Sequence, residues 1–293
     1  MFDSSVSPST ITELTKTFAQ FRQAWENSQL EKHYLAVLCD VVFVTVKRGG
    51  SYSKEGIFIA IGVREDFKRE LLILDINPTE GAANWKELLL DLRDRKGVQQ
   101  IDLFIADGIT GLEDELAKVY PTTDFQKCVV HKIRNILSKV KPKHKTEIAE
   151  DLKYVFDNFE STDTQDKVNQ KLQEFLNKWE KIYPRVKTQL DPQNLNSNIN
   201  YYFTYVDYHP KVRRLIYTTN SIENLNRQIR KATKNKLSFE SPTSLLNYVF
   251  MVIKDFEERN YMRYKVYDYK YFKKVDLNKE KHQGGDTYQL GID

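Results

Sequence analysis

Apolar residues follow two different periods along this chain, and the change of period predicts a sheet-rich first half followed by a helical second half. Residues 34–47 are β-branched and almost continuously apolar, which is typical of a central strand covered on both faces. Two more apolar runs begin at Ile57 and Glu70, after the polar turn GGSYSKEG and a second polar link. Three such runs in succession predict an antiparallel meander. Residues 101–107 form a fourth strand pattern.

Helical patterns frame these strands. Residues 10–28 begin with a capping box and continue with apolar residues at steps of three and four, which predicts an amphipathic helix. A second helix precedes the fourth strand and stops at Gly97, and a third follows the Gly108 turn and ends near Tyr120. Near Phe125 a short strand leads into a basic helix.

The second half has a helical period in all but one segment. Residues 145–182 carry two apolar stripes at helical spacing, whereas residues 190–204 are polar and Asn-rich, which predicts a loop or a small module. Two further helices follow, the second from about residue 242 to residue 259. These patterns divide the chain into an N-terminal helical segment (1–32), the first part of an α/β core (33–140), a mainly helical insertion (141–210), the second part of the core (211–260) and a tail rich in Tyr and basic residues (261–293).

The composition is that of a globular protein without a membrane segment. At 293 residues and 40% hydrophobic content the chain can bury one large core or two modest ones, and its net charge is only +4. Cys39 and Cys128 are too few for a disulfide framework, which favours a reducing compartment. The longest apolar run is too short to span a bilayer, and the first residues lack a secretory pattern. We therefore expect a cytoplasmic protein with no membrane partner.

A strongly basic helix with one acid near its start follows residue 216. Steps of four, three and four residues from Glu223 reach Arg227, Arg230 and Lys234, so one exposed face carries an acid followed by three cations. A carboxylate that ligates a metal, beside cations that hold phosphates, is what phosphodiester chemistry requires. The alternative is structural, because Asn220 and Glu223 also form a capping box and the basic face can be merely solvated.

Three acids stand out by their context. Asp40 interrupts an apolar strand, Asp107 ends a strand before a glycine, and Glu223 lies on the basic helix. The alternatives are an edge strand or an ion pair for Asp40, and a turn or helix cap for Asp107. If the three carboxylates converge, they cannot all stay ionised without a metal, so the cluster implies Mg²⁺ or Mn²⁺. Two ions would activate the attacking oxygen and stabilise the leaving one.

The order of the predicted elements indicates a ribonuclease H-like core. In this α/β fold a mixed sheet is flanked by helices, and here an all-α insertion precedes the last catalytic helix. The most specific segments are IADGITGL at 105–112, FQKCVVHKIRN at 125–135 and TTNSIENLNRQIRKATK at 218–234. With these segments in this order, the sequence from about residue 5 to residue 258 resembles the Mutator-type transposases of bacterial insertion sequences.

The resemblance implies a DDE-type transposase in which Asp40, Asp107 and Glu223 are the catalytic and metal-ligating acids. The implied reaction is divalent-metal-dependent DNA strand cleavage and strand transfer, with two Mg²⁺ or Mn²⁺ ions. Its partners would be double-stranded DNA, both element ends and target, bound by a homo-oligomer in the bacterial cytoplasm near the nucleoid. Members of the family carry a helical DNA-binding region before the first acid, which here is already at residue 40. Two alternatives therefore stay open: a truncated DNA-binding remnant without transposition activity, and a ribonuclease H-like nuclease or resolvase.

The family's short Cys-x-x-His motif falls on Cys128 and His131. A zinc site would need two more ligands, and the remaining histidines show no paired spacing. We expect Cys128 and His131, together with Asn135 and Asn220, to orient the metal ligands or to position DNA. The alternative is a buried cysteine and a core histidine whose hydrogen bonds are satisfied.

Basic side chains near the predicted acids are candidates for DNA contacts. They would bind mainly phosphates, so the contacts would depend on salt and carry no sequence information. The basic and aromatic tail either stacks on exposed bases or packs on the core. The candidate DNA-binding residues are Lys132, Arg134, Lys139, Arg213, Arg214, Arg227, Arg230, Lys231 and Lys234.

Overall fold

One mixed sheet of five strands forms the centre of the protein. The computed structural model describes residues 8–194, 197–234 and 239–272. The strands are β1 (His33–Arg48), β2 (Ser51–Val63), β3 (Arg69–Asn77), β4 (Gln100–Ala106) and β5 (Asp124–Lys127). Their order across the sheet is β3-β2-β1-β4-β5; β1 to β3 pair antiparallel, whereas β4 lies parallel to β1 and β5 parallel to β4. This topology confirms the predicted α/β fold of the ribonuclease H-like type.

The helices cover the sheet and fill the second half of the chain. They are α1 (Pro8–Glu26), α2 (Ala82–Asp94), α3 (Leu112–Val119), α4 (Val129–Ser138), α5 (Lys145–Phe156), α6 (Gln165–Trp179), α7 (Pro184–Leu190), α8 (Pro210–Ile216), α9 (Asn220–Lys234) and α10 (Pro242–Phe256). One π-helical turn, Glu257–Tyr261, continues α10. The short helices α7 and α8, each with a proline in its first turn, were not predicted. None of the helices in the described ranges combines the length and apolar character that crossing a bilayer requires.

The hairpin between β1 and β2 is longer than the sequence predicted. The predicted eight-residue turn is only the pair Gly49 and Gly50, which adopt φ values of 58° and 89°. Pairing then continues from Arg48 opposite Ser51, and the Arg48 guanidinium holds Glu55 by hydrogen bonds of 2.9 and 2.7 Å. The polar residues misled the prediction because this end of the hairpin extends past the apolar core and needs no apolar alternation.

The two faces of the sheet bury separate apolar clusters. On one face Leu38 and Val42 belong to the cluster that includes the apolar stripes of α9 and α10. On the other face Trp85 of α2 packs on Phe58 and Phe104, with ring centroids 5.2 and 6.5 Å apart. Since side chains alternate along a strand, Asp40 shares the face of Leu38 and Val42 and lies toward α9.

The polar segment before α8 is a small module built on β5. Two 3₁₀ turns, Ile199–Tyr202 and Thr204–Asp207, form it. Gln126 of β5 lies between them, donating to the Tyr202 carbonyl oxygen at 3.2 Å and accepting from the Tyr205 amide at 2.7 Å. The prediction of a loop or small module for this segment is therefore confirmed.

The described part of the tail packs on the protein. A 3₁₀ helix spans Tyr267–Tyr271, and within it Tyr269 is buried, as is Phe272 after it. Tyr264 and Tyr267 remain exposed. Residues 273–293 lie outside the described ranges.

Candidate active site

Asp40 and Asp107 occupy neighbouring positions on two parallel strands. The last paired residues of β1 and β4 are Leu38 and Ile105, and each acid lies two residues farther along its own strand direction. Adjacent strands are about 4.8 Å apart, and side chains two residues apart share a face. Both carboxylates therefore lie side by side at the carboxyl end of β4, on the face covered by α9.

Helix α9 supplies the partner that holds Asp40. The buried Asn226 amide donates a hydrogen bond to Asp40 Oδ2, while the Val41 amide donates to Oδ1 at 2.8 Å. Burial raises the pKa of Asp40, the neighbouring Asp107 charge raises it further, and the charges of His131 and Arg230 oppose the shift. The carboxylate is thus pre-oriented but short of compensating positive charge.

Helix α4 brings His131 next to Asp107. The Asp107 Oδ1 atom accepts from the Gly108 amide at 2.9 Å and lies 3.1 Å from His131 Nδ1. A hydrogen bond to Cys128 raises the pKa of His131 to about 9, with smaller contributions from Asp107 and Asp40. Burial raises the pKa of the Cys128 thiol, but the hydrogen bonds from His131 and Thr219 outweigh it and bring the pKa below its usual value. The Cys-x-x-His motif thus brings the His131 ring next to Asp107, and its role in orienting the metal ligands or positioning DNA stays a prediction.

Glu223 lies in the first turn of α9, half-buried, one turn before Asn226. Its Oε1 atom is 3.8 Å from Arg134 Nη2 of α4. The predicted capping role of Asn220 is wrong, because Asn220 is the first residue of the helix and its side-chain oxygen accepts from Thr218 Oγ1 at 3.0 Å. The residue before the helix is Thr219, whose hydroxyl donates to Cys128 Sγ at 3.4 Å. Glu223 thus lies beside Arg134, in the middle of α4.

The arrangement fits a divalent cation at two of the three predicted acids. Asp40 and Asp107 are adjacent, and hard oxygen ligands of like charge are what Mg²⁺ and Mn²⁺ bind. In residues 8–194, 197–234 and 239–272, no three His, Cys, Asp or Glu side chains are close enough together to hold one metal ion. The structure thus brings together Asp40 and Asp107, while Glu223 remains apart from them beside Arg134.

Two further residues of this site were missed by the sequence patterns. Glu80, in the loop after β3, lines the same cavity as Asp107; burial, and then the charges of Asp107 and Asp40, raise its pKa. Asn226 was missed because it follows the apolar stripe of α9 and was taken for a single polar residue within it. The sequence did contain an indication, because an amide on the buried side of a helix needs a polar partner, here one on the strand beneath.

The predicted DNA-binding residues separate into two groups. Arg213 is only 2% exposed, and its guanidinium donates to the carbonyl oxygens of Tyr208 at 2.8 Å and Glu160 at 2.7 Å. Lys132 is half-buried and donates to the Gln189 carbonyl oxygen at 2.9 Å. The buried Arg213 has no free face for phosphate, so this predicted contact is not retained, whereas Lys132 lines the cavity beside Asp107 and its contact with DNA stays a prediction. The exposed members are Arg134, Lys139, Arg214, Arg227, Arg230, Lys231 and Lys234, and Asn135 is exposed beside them.

The comparisons with known proteins agree with this architecture. A family model described as "Transposase, Mutator family" matches residues 1–263. The transposase for insertion sequence element IS905 of Lactococcus lactis subsp. lactis is 30% identical over 264 residues, which are 90% of this chain and 64% of that protein. The corresponding transposase for element IS1201 of Lactobacillus helveticus is 30% identical over 85% of this chain and 64% of its own length.

A more distant relative gives the same picture. The transposase for insertion sequence element IS256 in transposon Tn4001 of Staphylococcus aureus is 27% identical over 87% of this chain and 63% of its own length. The chain thus spans slightly less than two thirds of the length of these curated relatives. Because the family model matches most of the sequence, from the first residue to the end of α10 and beyond, the chain belongs to the Mutator family of transposases.

Proposed function

We propose that this chain is the catalytic core of a DDE-type transposase, which cleaves DNA strands at the ends of an insertion sequence and transfers them to target DNA. The observation that carries the proposal is the register of β1 and β4, which sets Asp40 beside Asp107 on the face covered by α9. Paired carboxylates next to a helix with exposed cations supply the two requirements of phosphodiester chemistry: ligands for a divalent cation and contacts for phosphate.

Asp40 and Asp107 would hold the divalent cation, with Glu223 completing the ligand set. We propose two Mg²⁺ or Mn²⁺ ions in this site. Such ions would activate the attacking oxygen and stabilise the leaving oxygen. The Asn226 amide orients Asp40 and the Gly108 amide orients Asp107, so little rearrangement is needed when the cation binds. For Glu223 to join them, its side chain must leave Arg134. The contact between the two side chains is weak, because their nearest charged atoms are 3.8 Å apart and both are accessible to solvent.

The exposed cations of α9 would hold the DNA backbone. Arg227, Arg230, Lys231 and Lys234 continue from Glu223 along the helix, and all four are exposed. Phosphates bound along this face would bring the scissile bond to the aspartate pair at the start of the helix. A 3′ hydroxyl freed by cleavage would attack the target strand in the same pocket, so no covalent intermediate with the protein is required.

The test is a strand-transfer assay with an aspartate variant. We expect Asp107→Asn to abolish Mg²⁺-dependent nicking of supercoiled plasmid and joining of a labelled oligonucleotide with a free 3′ end, without changing the far-UV dichroism. The matched control is Asp114→Asn, because Asp114 is exposed on α3 and does not line the cavity beside Asp107. Activity in Asp107→Asn would contradict the assignment.

The same assay separates the reaction types. Nicked plasmid without joined product, in the unaltered protein, would identify a nuclease or resolvase in place of a strand transferase. Element ends and target are the proposed DNA partners, and a homo-oligomer on DNA is proposed because two ends have to be held together. Sizing of the DNA complex by light scattering, with and without paired ends, tests that assembly.

A further inference from the structure

Four lysines lie close together in the turn that joins α4 to α5. Residues 139–145, KVKPKHK, are called here the lysine turn, and they include no acid. All four lysine side chains are exposed, and none of them pairs with a carboxylate in the described ranges of the chain. Like charges at this density repel each other, so the turn is suited to bind an anion. The four residues are Lys139, Lys141, Lys143 and Lys145.

The acids that follow the lysine turn are occupied by other lysines. Two of the three acids in α5, Glu147 and Asp151, pair with Lys178 at 2.9 and 2.8 Å. Glu180, just before α7, pairs with Lys187 at 2.7 Å. These lysines of the insertion thus have acidic partners, whereas those of the lysine turn have none among the described residues. The positive charge of the turn is therefore available to a partner from outside the chain.

Tyr183 fixes the backbone of the lysine turn to the rest of the insertion. Its hydroxyl accepts from the Lys141 amide at 3.2 Å and lies 2.8 Å from His144 Nδ1. The His144 ring packs against Trp179 and Tyr183, with ring centroids 5.5 and 5.8 Å apart. A 3₁₀ turn, Pro142–His144, then leads directly into α5. Because the backbone is already held in place, a partner that binds the lysines loses less ordering entropy.

Helix α4 connects the lysine turn to the candidate active site. The helix begins at Val129 and passes His131, whose ring lies beside Asp107. Lys139 follows His131 by eight residues, so it lies about 12 Å farther along the helix at 1.5 Å per residue. One turn of duplex DNA is about 34 Å long. A duplex bound at the aspartate pair is therefore long enough to pass the lysine turn within its first helical turn.

The chemistry of the lysine turn matches the backbone of duplex DNA. Lysine ammonium groups are point charges on flexible side chains, and they bind phosphates without selecting a base. A DNA duplex carries one negative charge per about 1.7 Å of its axis, so four cations within seven residues meet several phosphates at once. An acidic surface on a second copy of this chain would be a different partner, and the experiments below separate the two.

We propose that the lysine turn binds the backbone of the duplex whose scissile phosphate lies at Asp40 and Asp107. This inference rests on the proposed function, because the aspartates set the position of the duplex. The insertion then contributes a second phosphate-binding surface, separate from the cations of α9. Helices α4 and α9 begin next to each other, since the Thr219 hydroxyl donates to Cys128 Sγ at 3.4 Å. Both surfaces are therefore positioned relative to the same cleaved bond.

The salt dependence of DNA binding tests the proposal without requiring catalysis. The double variant Lys141→Gln with Lys143→Gln removes two charges from the turn. We expect the slope of log affinity for a blunt duplex on log salt to fall by about 2. The variant Lys141→Arg with Lys143→Arg keeps the charges and should keep the slope. The matched control, Lys153→Gln with Lys167→Gln, removes two charges from exposed positions on α5 and α6 and should also keep it. Urea midpoints check that all variants are equally folded, and an unchanged slope in Lys141→Gln with Lys143→Gln would overturn the proposal.

Directed cleavage tests whether DNA lies at the turn. Cys39 and Cys128 are buried, so a cysteine introduced by Lys143→Cys can be modified selectively with iron–EDTA, whose hydroxyl radicals cut nearby DNA strands. Gly81→Cys gives a reference for DNA at the aspartate pair, because Gly81 lines the adjoining cavity and a Cβ there meets no atom within 4 Å. Lys167→Cys, exposed on α6, gives the background. We expect the cut yield from residue 143 to approach that from residue 81 and to exceed that from residue 167 several-fold; a yield equal to the background would overturn the proposal.

Three outcomes separate failure of this inference from failure of the proposed function. If strand transfer depends on Asp107 but neither the salt slope nor the cut yield depends on the lysine turn, the inference is overturned and the transposase proposal stands. If the unaltered protein neither cuts nor joins DNA but the slope falls by about 2 in the Gln variant, the DNA surface stands and the reaction does not. If the slope is unchanged and light scattering without DNA shows that the Gln variant loses an assembly, the turn contacts a second copy and the DNA proposal is overturned.

Discussion

Replacement of Arg213 by methionine should destabilise the fold and leave the DNA-binding surface intact. Arg213 and Arg214 are adjacent in the sequence and carry the same charge. Arg213 is buried against backbone carbonyl groups, whereas Arg214 is exposed, with its guanidinium 4.6 Å from the centre of the Phe159 ring. Arg214→Met is therefore the matched control for Arg213→Met, since it removes the same charge from the surface.

The magnitude follows from the hydrogen bonds that Arg213 makes. Its guanidinium donates to the carbonyl oxygens of Tyr208 at 2.8 Å, Glu160 at 2.7 Å and Asn158 at 3.1 Å. Hydrogen bonds to a charged group contribute about 1.5–3 kcal/mol each, offset in part by the desolvation of the guanidinium. Each carbonyl oxygen that stays buried without a donor costs about 1–3 kcal/mol, so we expect Arg213→Met to lower the unfolding free energy by about 3 kcal/mol. The Arg214→Met change should cost about 1 kcal/mol or less, the value of an exposed cation–π contact.

Urea unfolding followed by far-UV dichroism measures these differences as a shift of the midpoint at constant slope. DNA affinity is then measured against salt concentration, at protein concentrations corrected for the folded fraction. We expect the slope of log affinity on log salt to be unchanged in Arg213→Met, because no phosphate contact is lost. Stability equal to that of Arg214→Met, or a slope smaller by about 1, would refute the structural role of Arg213.

Three further changes test other parts of the structure. Asn226→Ala removes the hydrogen-bond donor to Asp40. The change should lower the unfolding free energy by about 1–3 kcal/mol and slow strand transfer; an unaltered strand-transfer rate would show that Asp40 needs no orienting amide. Arg230→Gln should lower the salt slope of DNA binding by about 1 at unchanged stability, and a constant slope would remove it from the DNA surface. The pKa of His33 is raised because its hydrogen bonds to Glu65 and Asp102 outweigh burial, which lowers it. Protonated His33 therefore contributes its full stability below the unfolded pKa of about 6.5, and this contribution is lost as pH rises through the folded pKa. In His33→Asn the urea midpoint should vary less with pH across this range. An unchanged dependence of the midpoint on pH would contradict the pairing.

The fold and the aspartate pair could be predicted from the sequence because both depend on strand periodicity. Alternation along β1 places Asp40 on the same face as Leu38 and Val42, and the pattern of residues 101–107 ends at the second acid. A parallel neighbour with matching register then aligns the two carboxylates. Local patterns were sufficient here because the part of each strand that crosses the core is apolar and the runs are separated by polar turn residues.

The contacts that decide each basic residue's role could not be predicted in the same way. Arg213 is buried because the loop around residues 158–163 presents carbonyl oxygens to it, more than fifty positions earlier in the chain. A partial signal exists in α8, where Val212 and Ile216 define a buried face that Arg213 adjoins. Without the helix boundary, which the sequence patterns did not give, the two arginines are indistinguishable.

The Cys-x-x-His motif joins the two halves of the candidate site, which explains why its residues lie at the start of α4. The Cys128 amide donates to the Ala106 carbonyl oxygen at 2.8 Å, so it is fixed to the end of β4, directly before Asp107. Its sulfur accepts from Thr219, and the next amide along the chain, that of Val129, donates to the Tyr217 carbonyl oxygen at 3.2 Å. The start of α9, and with it Glu223, is therefore positioned by contacts to the same residues that hold the second aspartate. A chain segment that departs after α4 and returns at α9 can vary in length without moving the acids, because the starts of α4 and α9 contact each other at Cys128 and Val129.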